Sequence, residues 1–208
     1  MKIEVSDGEI ADKYSILCLK LAKIPDEQKR REILREKELL HDYTLSLIDK
    51  WPMCYELLCH TNQMIWDKTN EMKAFRVMDD PAGFSNLASA IFSYNDKRFR
   101  LKRIFNMDSS VKEQKSYGAK TISIRIPDHN FLLEHLGRII YMILDYDQIH
   151  VGTDQCVMKT LLEHIPTCCI SRVSPNTNTI SDIPDAHDQE ALLIINSFIT
   201  CRSGKQEG

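Results

Sequence analysis

In "SYNDKRFRLKRIFN" (93–106), Asn95, Arg98, Lys102 and Arg103 fall at or near helical spacing. Arginine presents a planar fork that matches phosphate oxygens, lysine adds a point charge, and an asparagine amide supplies a polar contact. The chemistry such a set offers is capture of a phosphate or diphosphate. Five of the seven residues from Lys97 to Arg103 are basic, so two other readings compete with it. On a helical wheel the positives spread around the axis, whereas a nucleic-acid helix lines them up along a groove. Long basic side chains also cover apolar surface with their stems while their charges stay wet. Arg98 and Arg103 can instead pair inside the protein with Asp96, Asp67 or Asp12, and this internal pairing is weighed ahead of phosphate capture. Phe92, Phe99 and Ile104 mark the expected buried stripe of the same helix.

Two acidic groups offer partners or chemistry of their own. Glu9, Asp12 and Lys13 lie within one helical turn. Glu9 and Lys13 have the i,i+4 spacing of a surface ion pair, and Glu9 with Asp12 is a candidate pair of cleft acids. In "RIPDHN", Asp128 and His129 follow a strand and open a helix, where α/β sheets often place ligands. They are the candidate acid/base pair, with helix capping as the plain alternative for Asp128. His150, Asp145 and Asp147 are weaker candidates, and His135 and His164 fall within helices.

Several chemistries lack their parts. The sequence has no G-x-G-x-x-G, no P-loop and no G-x-S-x-G elbow. Cys54, Cys59 and His60 have no second ligand pair nearby and make a poor zinc site, so no metal and no cofactor is expected. Seven cysteines without framework spacing fit reduced thiols, and no apolar run is long enough for a signal or a membrane span, so a cytoplasmic setting is expected.

The 208 residues suffice for one large or two small domains, and the net charge of −3 argues against a protein that mainly coats nucleic acid. Residues 1–117 carry 20 Lys/Arg against 19 Asp/Glu, and 118–208 carry 7 against 11, so any basic patch belongs to the first part.

The elements that must position these residues divide the same way. Through residue 117 the pattern is helical. Ile10, Tyr14, Leu17, Leu21 and Ile24 step by three and four. Pro25 breaks that helix, and Asp26 opens a second with apolar Ile33, Leu40, Tyr43 and Leu47, which makes an antiparallel hairpin. A third helix follows Trp51-Pro52 through Leu57, Leu58, Met64, Ile65 and Met72. The fourth covers 83–106 with an expected break near Ser93. From 118 the period changes. Alternating Ile122, Ile124 and Ile126 predict a strand over 120–127. "DHNFLLEHLGRIIYMILDY" is helical, "DQIHVGT" a strand, "DQCVMKTLLEHIP" helical, "TCCISRVS" a strand, and 189–200 a last helix. The order βαβαβα implies a parallel sheet with right-handed crossovers. The expected fold is a two-part α+β chain: a helical domain at 1–117 and a small three-layer α/β domain at 118–208.

Three segments carry a family resemblance. "IEVSDGEIADKYSILCLKLAKI" (3–24) is similar to an opening of the form V-S-x-G-E-x-x-D-K-x-x-I-L. "MIWDKTNEMKAFRVMDDPAGFSNLASAIFSYNDKRFRLKRIFN" (64–106) and "VKEQKSY" (111–117) follow in consistent order. Together they resemble an uncharacterised family of bacteria and large DNA viruses, met near lipopolysaccharide and other surface-glycan genes. The sequence departs from it in Lys73 and Ala74, and in Gln114, which puts any role of Glu113 in doubt. The resemblance implies a setting in glycan or nucleotide-sugar metabolism and, for a viral chain, the host cytoplasm. The α/β part lies outside it, though its layout is similar to the opening unit of two-lobed glycosyltransferases. It is too short for more than one lobe, so an enzyme of that kind needs a partner chain or self-association. Two functions are therefore expected. One is a glycosyltransferase-like protein that binds a nucleotide-sugar or other phosphorylated small molecule between its two parts. The other is a non-catalytic helical module that forms a homodimer through the hairpin. Nucleic-acid binding ranks below both.

Overall fold

In a computed structural model of the chain, which describes residues 4–75, 80–107, 118–174 and 182–203, seven α-helices and three strands follow one another. The chain is a two-part α+β protein, with two compact units, Met1–Glu113 and Gln114–Gly208. Segment 111–117 of the resemblance, with Glu113 and Gln114, lies outside the described residues.

The first unit holds four helices, α1 (Asp7–Lys23), α2 (Glu27–Lys50), α3 (Pro52–Ala74) and α4 (Pro81–Phe105). Their starts follow local chemistry. Ser6 accepts from the Glu9 amide at the start of α1 and Asp26 from the Lys29 amide at that of α2, while proline opens both α3 and α4. The C-terminal carbonyls of α1 are covered by Arg30, which donates to the Leu21 and Ile24 oxygens. Helices α3 and α4 form the main packed pair, and α1 contacts both of them as well as α2. Ala11, Tyr14 and Leu17 of α1, Cys54, Leu57 and Leu58 of α3, and Leu101, Ile104 and Phe105 of α4 make the core.

Helix α4 corrects two expectations. It runs without a break past Ser93, for 25 residues. Phe92 is 74% exposed, whereas Lys97, Arg100 and Lys102 are 7%, 5% and 7% exposed. The inward stripe passes through Leu87, Lys97, Leu101 and Ile104, so the phase is set by Leu101 and Ile104 rather than by Phe92. Helix α2 differs too. It leans chiefly on α1, burying Thr44 and Leu47, and Tyr43 turns outward with its hydroxyl donating to Asp7 Oδ1 at 2.7 Å.

The second unit carries β1 (Thr121–Arg125), α5 (His129–Asp145), β2 (Gln148–Gly152), α6 (Gln155–Leu162), a 3-10 turn at Thr167–Cys169, β3 (Ile170–Val173) and α7 (Gln189–Ser203). The strands pair in parallel in the order β1-β2-β3. Register places Ile122 beside Ile149 beside Ile170, and Ile124 beside Val151, so one face is aliphatic except at its β3 edge, where exposed Arg172 stands beside Val151. The other presents Ser123, His150 and Ser171 in one row. Helix α5 packs on β2 and on α7, and the six residues from Ile139 to Leu144 are all buried, as in a helix covered on every side. Each fully buried Ile or Leu there stabilises by roughly 1.5–3 kcal/mol over its exposed state. No described helix is long and apolar enough to cross a membrane.

Candidate functional site

Helices α1 and α4 run antiparallel, and their charges meet as a two-rung ladder. Glu9 pairs with Lys102. One turn further along α1, Asp12 Oδ2 lies 3.8 Å from Arg98 Nε. The step of three on α1 thus matches the step of four on α4, the spacing at which helix side chains share a face. Lys13 joins neither rung and pairs with Glu36 of α2 at 2.6 Å, so the expected Glu9–Lys13 pair is replaced by two contacts between helices.

Asp12 is the hub. It is 4% exposed, and a buried carboxylate needs both charge and hydrogen-bond partners. Besides Arg98 it has Asn62 of α3, whose Nδ2 donates to Asp12 Oδ1 at 2.9 Å and to Ser15 Oγ at 2.7 Å. Ser15 in turn donates to the Asp12 carbonyl at 2.7 Å. Asn62 escaped the sequence reading. Its signal was the polar run His60-Thr61-Asn62 directly after the apolar stretch Leu57-Leu58-Cys59, and all three side chains are buried.

The other phosphate candidates are engaged elsewhere. Asn95 Nδ2 donates back to the Ile91 carbonyl at 2.9 Å. Lys102 is spent on Glu9, and Arg103 is half-buried. Arg98 stands apart. Its side chain is 30% exposed, and the Asp12 contact engages only Nε. Among the described residues its terminal nitrogens make no hydrogen bond. It lines a cleft of about 270 Å³ together with Ile16 and Leu19 of α1 and Asn62, Ile65, Trp66 and Thr69 of α3. Asn70 and Lys73 close its far end. Asp12 thereby sets its charge beside an arginine that lines a recess.

Behind the ladder lies a titratable cluster on α1 and α3. Burial pushes the Cys59 thiol up to about 12, although its hydrogen bond with Tyr55 acts in the opposite sense. Burial also raises Tyr55, and the neighbouring Cys59 and Cys18 add to the effect. A neutral, half-buried thiol is a poor nucleophile and a poor metal ligand. No group of three His, Cys, Asp or Glu side chains able to hold a metal occurs among the described residues, those around Cys54, Cys59 and His60 included.

In the second unit, Asp128 Oδ1 accepts from the Phe131 amide at 2.9 Å and caps α5, while exposed His129 forms the first residue of that helix. Asp154 caps α6 in the same way, accepting from Val157 at 2.8 Å. Both helix N-termini beyond the strand ends are thus closed by their own carboxylates. The order β1-β2-β3 contains no reversal, and a reversal is what opens a ligand crevice in such sheets. Asp147 accepts from the Lys120 amide at 2.9 Å, and His150 Nδ1 lies 2.7 Å from Ser171 Oγ on the polar face. His135 packs edge-on against Phe131. Comparison with known protein families, curated proteins and solved structures gives no match to this chain.

Proposed function

We propose that the helical unit binds a phosphate-bearing small molecule of glycan or nucleotide-sugar metabolism, with the phosphate at the outward edge of Arg98. The observation that carries this reading is Arg98 itself. Its Nε sits 3.8 Å from a buried carboxylate, and it lines a cleft that also holds Trp66. An arginine fixed by an acid behind it loses less side-chain freedom when it takes a phosphate. The family resemblance supplies the glycan setting. Among the described residues that line the cleft there is no acid/base pair or activated nucleophile, so the reading is binding, with any transfer chemistry left to a partner.

Thermal shift with hexose phosphates and nucleotide sugars tests it. A ligand that binds only the folded state stabilises by about 2.7 kcal/mol when its free concentration is about a hundred times the dissociation constant. The expected result is a rise of several degrees that Arg98→Lys abolishes, because lysine keeps the charge beside Asp12 and loses the fork. No shift with any of these ligands, nor with an alkyl phosphate, would refute the proposal.

A second reading has its own observation. Helix α2 leaves Leu34, Leu39, Tyr43 and Leu45 exposed, at 46%, 85%, 52% and 42%. Leu39 and Tyr43 share one face at i,i+4 spacing, and Leu34 and Leu45 another. The Leu39 face of a helix packed chiefly against one neighbour fits self-association through the hairpin, and it is compatible with ligand binding at Arg98.

A further inference from the structure

We infer that the ligand of the Arg98 cleft is an amphiphile, with its hydrocarbon part along α3 and its anionic group at Arg98; this rests on the phosphate reading of Arg98 above. The cleft walls point there. Ile16, Leu19, Ile65 and Trp66 supply aliphatic and aromatic surface, and Thr69 is the one polar side chain among the described lining residues between them and the far end. The charged side chains sit at the two ends. Arg98 and Asn62 mark one end and Lys73 the other. From Asn62 to Lys73 the helix rises about 16 Å at about 1.5 Å per residue, so the recess is elongated and carries its cations apart.

A sugar ring is poorly served between these walls. Its hydroxyls need donors and acceptors, and buried polar groups without partners are costly. Asn62 already spends its amide hydrogens on Asp12 and Ser15, and Asn70 Oδ1 takes a hydrogen bond from Lys73 at 3.4 Å. A hydrocarbon chain asks for none of these. It gains from leaving water and from lying against the Trp66 indole. A glycan unit joined to such an amphiphile through its phosphate would then project outside the cleft, past Arg98.

The test uses the full chain carrying Trp51→Phe, so that of the two tryptophans only Trp66 reports by fluorescence. Decyl phosphate below its critical micelle concentration, decanol and a hexose phosphate are titrated separately. Decyl phosphate is expected to shift the Trp66 emission to the blue saturably and to bind at least about tenfold more tightly than either other compound. Arg98→Lys should remove most of its advantage over decanol. Thr69→Phe fills the cleft away from the Asp12 pair and should remove the response to both alkyl compounds while the protein still melts cooperatively. A hexose phosphate that binds as tightly as decyl phosphate, and loses affinity in Arg98→Lys, overturns the amphiphile and leaves the phosphate reading standing. Equal binding of decyl phosphate and decanol overturns both readings, as does silence with all three.

Discussion

The Gly8 amide donates to Asn106 Oδ1 at 2.6 Å, tying the first turn of α1 to the C-terminal cap of α4. A methyl group at position 8 would stand 2.4 Å from the Lys102 carbonyl oxygen and 2.9 Å from Asn106 Oδ1. The closer atom is backbone and cannot swing aside, so the two helices must part. Gly8→Ala should therefore destabilise the helical unit by roughly 1–3 kcal/mol, the range for overpacking a tight interior. Gly118→Ala is the control, since nothing lies within 4 Å of a Cβ there. Urea midpoints of the two variants decide the matter; equal midpoints would show that α1 and α4 tolerate separation.

The Asp12–Arg98 rung should behave as a coupled pair. Asp12→Ala removes one of the two acceptors of Asn62 and the counter-charge of Arg98, so a loss of about 3 kcal/mol is expected. Arg98→Met should cost less, because the arginine is partly in water. Made together, the two changes should cost less than their sum by about 0.5–3 kcal/mol, the span measured for contacting residues. Strict additivity in a double-mutant cycle would mean that the 3.8 Å approach is incidental.

How far the ladder was legible follows from the distance over which each signal acts. Caps and strand alternation are local, so Ser6, Asp26, Asp128 and the Ile122-Ile124-Ile126 strand could be read directly. Whether Lys97, Arg100 and Lys102 point inward depends on acids and rings far away in the chain; Glu9 is 93 residues from Lys102. An apolar wheel naturally places Phe92 inside and the lysines outside, and the helix does the reverse. Asn62 and Trp66 looked like ordinary α3 residues, since nothing nearby in sequence reveals the arginine opposite them.

Alkaline pH should weaken the helical unit through Cys59. Its thiol is raised from 9.0 to about 12 in the folded state, chiefly by burial. Between these values the unfolded chain loses the proton and the native state keeps it. The native state then binds more protons, so stability falls as pH rises. It is fully present below about pH 9 and is lost progressively toward pH 12. Tyr55, raised in the same direction, adds to the loss at the upper end. Cys59→Ala should flatten the decline in urea titrations across that window. An unchanged slope would assign the alkaline loss to other groups.

Self-association through α2 predicts a sharp response at Leu39, whose side chain is 85% exposed. Leu39→Lys places a charge on the apolar surface and leaves the core of the unit alone. Light scattering should show a dimer for the parent chain at micromolar concentration and a monomer for the variant, with the same melting temperature when both are dilute. A parent chain that remains monomeric when concentrated removes this role from the hairpin.

Asp128 separates a cap from a catalyst. As the residue that accepts the Phe131 amide hydrogen, it should cost about 1 kcal/mol of second-unit stability when changed to alanine. Serine, which also caps, should restore most of that loss. A general acid or base behaves differently, because serine has no titratable proton in the working range and would leave the function as impaired as alanine does. His129→Ala supplies the other half of the test. The imidazole is exposed at the first residue of α5, so its removal should leave stability nearly unchanged. It should also leave phosphate-ligand binding at Arg98 unchanged. If Asp128→Ser stays as unstable as Asp128→Ala, the cap reading fails. If His129→Ala abolishes ligand binding, the candidate acid/base pair returns as part of the site.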